Sequence, residues 1–451
     1  MLFHTQTTCD VRRPNRPVRR QAVPEPNRLA PEDRPVHDWY RFVLSFPPHL
    51  VRDYVARFGL GDGATLLDPF CGTGTTIVEG QKLGLHAVGI EAHPFSHFAS
   101  TTKTQWTARA DELMSAANDI AGIYCDIIAA DGLVDDDLLI PFEEAAAVSP
   151  QWLRLPDEQA ELLLANSISP LPLHKTLRLT ALIDAHSPPS LRGHLRLALA
   201  KAICGPIGNL HFGPEVGVGP AKKDAPVLPS WLANVRQISA DLDRIKTLRA
   251  GRSVVHHADS RDMASLLKPR SIDAVITSPP YPNEKDYTRT TRLESVLLGF
   301  VRDKAHLRAL KQGLVRSNTR NVYVNDTDDA WVRSHPEIQR IATAIESRRI
   351  ELGKTSGFER LYARVTKLYF GGMARHLAEL RPALKSGARL AYVVGDQASY
   401  LRIMIRTGQI LASIAEELGY KVEAIDLFRT RLATATREQL REEVVVLRWP
   451  A

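Results

Sequence analysis

The spacing of apolar positions changes character along the chain, and each change predicts an element. An apolar run at 64–68 leads into a glycine turn, a helix-period stretch from about 74 to 84, and a second apolar run at 86–91. Strand, helix and strand in so short a span form a βαβ unit, which implies a parallel sheet. Ahead of it, "HDWYRFVLSFPPHLVRDYVARFG" opens ordered sequence near His37; after its Pro-Pro break, Leu50, Tyr54, Val55 and Phe58 follow at helical spacing. From about 105 to 205 the pattern is helical. Residues 208–230 read as a Gly/Pro-rich loop, and Ser230 as the N-cap of a helix whose Val235, Ile238, Leu242 and Ile245 share a face and which Gly251 ends. Strands are expected at 252–257 and 272–277, a helix at 360–383, a strand at 388–396, a helix at 400–418 and strands near 420–427 and 443–449. The fold class expected is α/β: a doubly wound, mostly parallel, seven-stranded sheet interrupted by two insertions, one largely helical.

These patterns divide the chain into a basic flexible arm (1–35), a core (36–105 with 251–290 and 360–451), a mainly helical insertion (106–250) and a basic insertion (286–359). "VRRPNRPVRR" (11–20) holds five arginines without apolar periodicity, and reads either as a solvated tail or as a phosphate-binding arm. The stretch 285–320 has nine Lys/Arg against three Asp/Glu.

Composition adds less. The 451 residues carry a net charge of +7 and are 44% hydrophobic and 24% charged, as in an ordinary globular protein leaning toward a polyanionic partner. Cys9, Cys71, Cys125 and Cys204 are scattered without a CxxC pair, which argues against a disulfide framework and a zinc site and fits a reducing, cytoplasmic setting. Neither a signal peptide nor a membrane span is expected.

Two stretches carry chemistry. In "LLDPFCGTGTT", Asp68 closes a strand, and Gly72 and Gly74 turn the backbone into a helix beginning near Thr75. Glu91 ends the next strand 23 residues on, where a doubly wound sheet holds ribose hydroxyls. Thr76 and Ile77 follow where a third phosphate-loop glycine would stand, so a nucleoside without phosphates, such as S-adenosylmethionine, fits better than a dinucleotide. In "VVHHADSRDM", Asp259 reads as an acceptor for an adenine amino group, as an N-cap, or as both.

The second stretch is "SIDAVITSPPYPNEKDY" (271–287), a buried strand ending in a rigid corner. Proline removes backbone donors and fixes φ. An exocyclic amine on a nucleobase is a poor nucleophile because its lone pair is delocalised. Two acceptors aimed at its hydrogens, Ser278 Oγ and the Pro279 carbonyl, can rehybridise it, with Pro280 stiffening the corner and Tyr281 offering a stacking face.

Together these stretches resemble the amino-methylating DNA methyltransferases. "DPFCGTGTT" looks like that family's donor motif, "TSPPY" its catalytic motif, and "FPPHLV" the segment placed over the methionine end of the donor. The resemblance implies a Rossmann-like methyltransferase fold, S-adenosylmethionine as methyl donor, and DNA, expected double-stranded, as substrate with an extruded base. It assigns Phe46, Asp68, Phe70, Gly72, Gly74, Thr75, Glu91 and Asp259 to the donor, with Phe70 beside the sulfonium. It assigns Ser278, Pro279, Pro280 and Tyr281 to the amine. Ser-Pro-Pro-Tyr in that family mostly accompanies cytosine N4 products; adenine N6, RNA and protein amines stand as alternatives, as does a nucleic-acid-binding protein on a degenerate methyltransferase fold. No cysteine follows a proline, as cytosine-C5 chemistry would need, so Cys71 reads as packing. The 168 residues between Glu91 and Asp259 depart from the usual layout. DNA contacts are expected from the basic segment and the 208–230 loop: Arg316 and Arg320 in "GLVRSNTRNVY" (alternatively a solvated loop), with Lys222 and Lys223. A restriction or defence-system partner is expected in a prokaryotic cytoplasm.

Overall fold

The structure is a computed structural model that describes residues 29–42, 44–136, 149–213, 215–283, 285–432 and 439–450. Most of the expected arm, including the 11–20 stretch, lies outside the described residues.

Nine strands are present among them: β1 (Thr65–Asp68), β2 (His86–Glu91), β3 (Leu210–Phe212), β4 (Val216–Val218), β5 (Ser253–His257), β6 (Ile272–Thr277), β7 (Leu384–Gly395), β8 (Lys421–Leu432) and β9 (Gln439–Arg448). Seven of them form one sheet in the order β5-β2-β1-β6-β7-β9-β8. All its pairings are parallel except those of β9, which runs against both β7 and β8. This is a doubly wound, Rossmann-like α/β sheet. Leu66, Leu67, Ala274, Val275 and Ile276 are buried, because helices cover both faces of the central strands.

The chain winds outward from β1 to β2 and β5, then returns to place β6 and β7 on the other side of β1. The order therefore reverses between β1 and β6, and the crevice outside the carboxyl ends of such a pair is where open α/β sheets bind ligands. Asp68 is the last residue of β1, and Ser278 follows the last residue of β6.

The segment 106–250 contributes four long helices, Ala110–Ala130, Pro170–His186, Pro189–Ala202 and Val227–Ile245. They bury Leu113, Ile120, Leu179, Ile183, Leu195, Trp231 and Ile238 in one apolar cluster. Ala110–Ala130 is long and apolar enough by composition to cross a membrane, but Leu113, Ala117, Ile120, Tyr124 and Ile128 pack it into this cluster. Trp39 Nε1 and Val36 N both donate to Asp241 (2.8 and 3.1 Å), tying the bundle to the segment before the first sheet strand.

Three local expectations are corrected. The helix placed after a Ser230 cap begins at Val227. Asp135 accepts from Val227 N and Leu228 N (3.0 and 2.9 Å), so its cap comes from a residue remote in sequence. The same helix ends at Ile245, short of Gly251. The 208–230 loop contains the antiparallel pair β3–β4. The basic insertion (286–359), for which no elements were expected, holds helices Arg292–Leu297, Lys304–Gln312 and Pro336–Glu351.

Candidate active site

The donor loop is built by glycines and braced from three sides. Gly72 (φ 51°) and Gly74 (φ 88°) adopt left-handed conformations that side chains disfavour. A Cβ on Gly74 would also meet Ser100 Oγ at 2.6 Å. Glu91 accepts from Gly72 N (2.8 Å) with one carboxylate oxygen and from His93 N (2.7 Å) with the other. From below, Lys103 Nζ donates to the carbonyls of Thr73 (2.9 Å) and Tyr40 (3.3 Å). Burial lowers the Lys103 ammonium to about 7, so this brace costs desolvation.

Asp68 lies at the seam between the two motifs. Its Oδ1 accepts from Thr277 Oγ1 (2.6 Å) and Phe70 N (3.1 Å). Its Oδ2 is buried and has no partner among the described residues. Burial pushes the carboxyl up to about 6, and Glu91 up to about 7. Two carboxyls held this high at strand ends are expected where a ligand completes the site.

A cavity of 320 Å³ opens at this seam. Phe46, Phe70, Gly72, Thr75 and Glu91 line it, and so do Ser278, Pro279, Pro280 and Tyr281. One space thus touches both motifs, from residues that β1, β2 and β6 carry to the same sheet edge. Asp68 sits behind its wall, and Gly74 packs against Ser100 instead of facing it.

At the acceptor side, Ser278 Oγ donates to Val393 O (3.3 Å). A hydroxyl whose hydrogen is used this way turns its lone pairs elsewhere and acts as an acceptor. The Tyr281 ring lies against Gly395 at the end of β7, where a Cβ would stand 2.8 Å from Tyr281 Cε2. Phe70 meets His376 edge-to-face (centroids 4.8 Å apart), which sets the ring facing the cavity. Cys71 is buried and its thiol is pushed up by that burial, so it stays protonated and packs.

Other sequence expectations are corrected by position. Asp259 does not line the cavity; its carboxylate caps Arg261 N (2.9 Å) and pairs with the Arg261 guanidinium, which bridges on to Asp328 (2.6 Å). Its neighbour Ser260 faces the cavity instead. Arg316 is buried, and its guanidinium is consumed by Asp326 (2.8 and 2.9 Å) and by the carbonyls of Lys311, Gln312 and Leu314. Such an arginine is a strut and has no donors to spare for phosphate. Around it, Gly313, Leu314, Val315 and Ser317 form part of the cavity wall. Lys222 Nζ caps the carbonyls of Gly205, Pro206 and Gly208, while Lys223 is exposed. Arg320 is also exposed, its guanidinium 5.9 Å from the centre of the Phe358 ring.

Sequence reading missed His93, which lines the cavity and meets Thr291 Oγ1 at 3.1 Å through Nε2. Burial lowers it to about 4, so it is neutral. Its place two residues after Glu91 was a usable signal. It also missed Phe428, Arg429, Arg431 and Glu442, brought to the cavity by β8 and β9.

A family model described as DNA methylase, of the N6/N4 methyltransferases, matches residues 22–100. The Type II methyltransferase M.BsoBI of Geobacillus stearothermophilus is 26% identical over 454 residues, covering 93% of this chain and 85% of that protein. The chain is thus similar to the N6/N4 amino-methyltransferases. The Type II methyltransferase M.AvaI of Nostoc sp. is 34% identical over 187 residues, 40% of this chain and 38% of its own. M.MjaII of Methanocaldococcus jannaschii is 35% identical over 71 residues, 16% of this chain and 13% of its own. This likeness makes S-adenosylmethionine the methyl donor, and the residues fit it. Among the described residues the charged lining residue at the donor end is Glu91, an acceptor for ribose hydroxyls, and no cation there calls for a pyrophosphate.

Proposed function

We propose that this amino-methyltransferase acts on double-stranded DNA at a fixed recognition sequence and methylates N4 of an extruded cytosine. The observation that carries the reading is the Ser278 hydroxyl, held as an acceptor by Val393 in a cavity shared with the donor loop. Bound S-adenosylmethionine supplies a methyl carbon made electrophilic by its sulfonium.

The chain's own residues prepare the amine. Ser278 Oγ and the Pro279 carbonyl accept its two hydrogens, drawing the lone pair out of conjugation and toward the methyl carbon. Tyr281, fixed by Gly395, holds the base plane. Transfer from bound S-adenosylmethionine would leave its thioether behind, and the methylated ammonium, being acidic, would release its proton without a strong base. Buried carboxyls and apolar walls keep water from competing.

Cytosine N4 is favoured because Ser-Pro-Pro-Tyr mostly accompanies N4 products in the family. The Type II designation of M.BsoBI and M.AvaI supports a place in a restriction–modification pair. Nucleoside mass spectrometry of DNA from cells expressing the chain tests the reading: N4-methylcytosine is expected. N6-methyladenine alone would overturn the base assignment, and methylation of RNA without DNA would overturn the substrate.

A further inference from the structure

The cavity is electrically lopsided. At its donor end the charged lining residue is Glu91; at the acceptor end stand Lys285, Arg429, Arg431 and Glu442. Arg429 is committed, since Nε and an Nη donate to the Glu442 carboxylate at 2.5 and 2.9 Å. That pair cancels the acid and leaves two cations over. Arg431 stands 3.8 Å from the same carboxylate with its side chain 42% exposed. Lys285 lines the cavity, and its Nζ makes no hydrogen bond to a described residue.

Both cations stand on rigid supports. Asn283 Oδ1 accepts from Lys285 N (2.9 Å), and Asn318 Nδ2 donates to Lys285 O (3.1 Å). Asn283 N in turn donates to Tyr281 O (2.8 Å), so the lysine is tied to the Ser-Pro-Pro-Tyr corner. On β8 the register against β9 shifts between Leu427 and Arg429, which inserts Phe428 as an extra residue. A bulge re-aims the side chains beyond it. Here Phe428, Arg429 and Arg431 all reach the cavity, whereas Leu427 is 59% exposed.

We infer that Lys285 and Arg431 form a phosphate clamp for the extruded nucleotide, so that backbone recognition at the reacting base comes from the corner loop and the β8–β9 hairpin. The inference rests on the reading of the chain as a DNA methyltransferase. A nucleotide rotated out of a duplex brings its flanking phosphates to the cavity rim with its base. Negative charge arriving there needs cations with unused donors. Lysine offers a compact charge with three donors, and an exposed arginine offers a fork. The segment 313–323 is less suited, because Arg316 is spent internally.

The test uses the full chain and PCR-amplified, unmethylated genomic DNA as probe. Methyl incorporation and DNA affinity are read across a salt series for wild type, Lys285→Ala, Arg431→Ala and the double variant. Each single variant should raise the KM for DNA and reduce the log–log salt slope by about 1, the double by about 2. Donor affinity by calorimetry should stay within about twofold of wild type, which also reports folding, and Lys285→Arg should restore the slope. A double variant that binds donor normally and keeps wild-type slope and KM would overturn the clamp. A wild-type chain that methylates no DNA would overturn the functional reading, and the clamp with it.

Discussion

Thr277 Oγ1 donates to Asp68 Oδ1 at 2.6 Å, joining the last residue of β6 to the last residue of β1. The residue after Thr277 is the proposed amine acceptor, and Asp68 opens the donor loop. Together with the backbone pairing of β1 and β6, this hydrogen bond ties two motifs that lie 209 residues apart in the chain. It also keeps one oxygen of a fully buried carboxyl satisfied while the other is left without a partner among the described residues.

Removing that carboxyl should be felt at the donor. Asp68→Ala is expected to weaken S-adenosylmethionine binding by about 1–3 kcal/mol, the cost of losing a partner to a buried polar group. Isothermal calorimetry on the folded variant checks this, and unchanged affinity would remove Asp68 from the donor site.

Donor affinity should depend on pH through Glu91. Burial raises this carboxyl to about 7, so below that pH it is largely protonated in the free protein. Ribose hydroxyls donate to the ionised form, so binding releases a proton and affinity grows as pH rises through about 7. Between pH 6 and 8 the Kd should fall about tenfold. In Glu91→Gln the slope should vanish; a slope that persists assigns the titration to another group.

The contact between Gly395 and Tyr281 predicts a variant that separates binding from turnover. Alanine at 395 would drive its Cβ to within 2.8 Å of the Tyr281 ring, which must then move. Gly395→Ala is expected to lower kcat while leaving donor affinity near wild type, and Ser278→Ala to do the same by removing an acceptor. Single-turnover kinetics beside calorimetry distinguishes this from loss of fold. Equal losses in both measurements would refute the positioning role.

Arg316→Ala should act on stability. It removes the partner of the largely buried Asp326 and five donor contacts. Breaking a buried pair costs about 3–5 kcal/mol. Urea denaturation should show that loss. A variant of wild-type stability with a reduced salt slope would return Arg316 to the DNA.

Both motifs and the sheet strands that carry them are legible from residue order alone. The runs at 64–68, 86–91 and 272–277 became β1, β2 and β6 within a residue or so, because their buried faces and glycine turns are local properties. What faces the cavity is set by contacts between distant parts of the chain. Arg316 and Lys222 look like free cations in sequence, yet Asp326 and a set of backbone carbonyls consume them. Asp259 is claimed by Arg261, and the cap of the Val227 helix comes from Asp135. Nothing in the sequence singles out Lys285 from the other cations of its basic stretch, or points to Arg431. They matter because β8, the last strand of the sheet order, and the loop after β6 converge on one rim. Strand formation follows from side chains a few residues apart. Whether a charge is spent or free depends on partners brought together by the folded sheet, and chain spacing carries little of that.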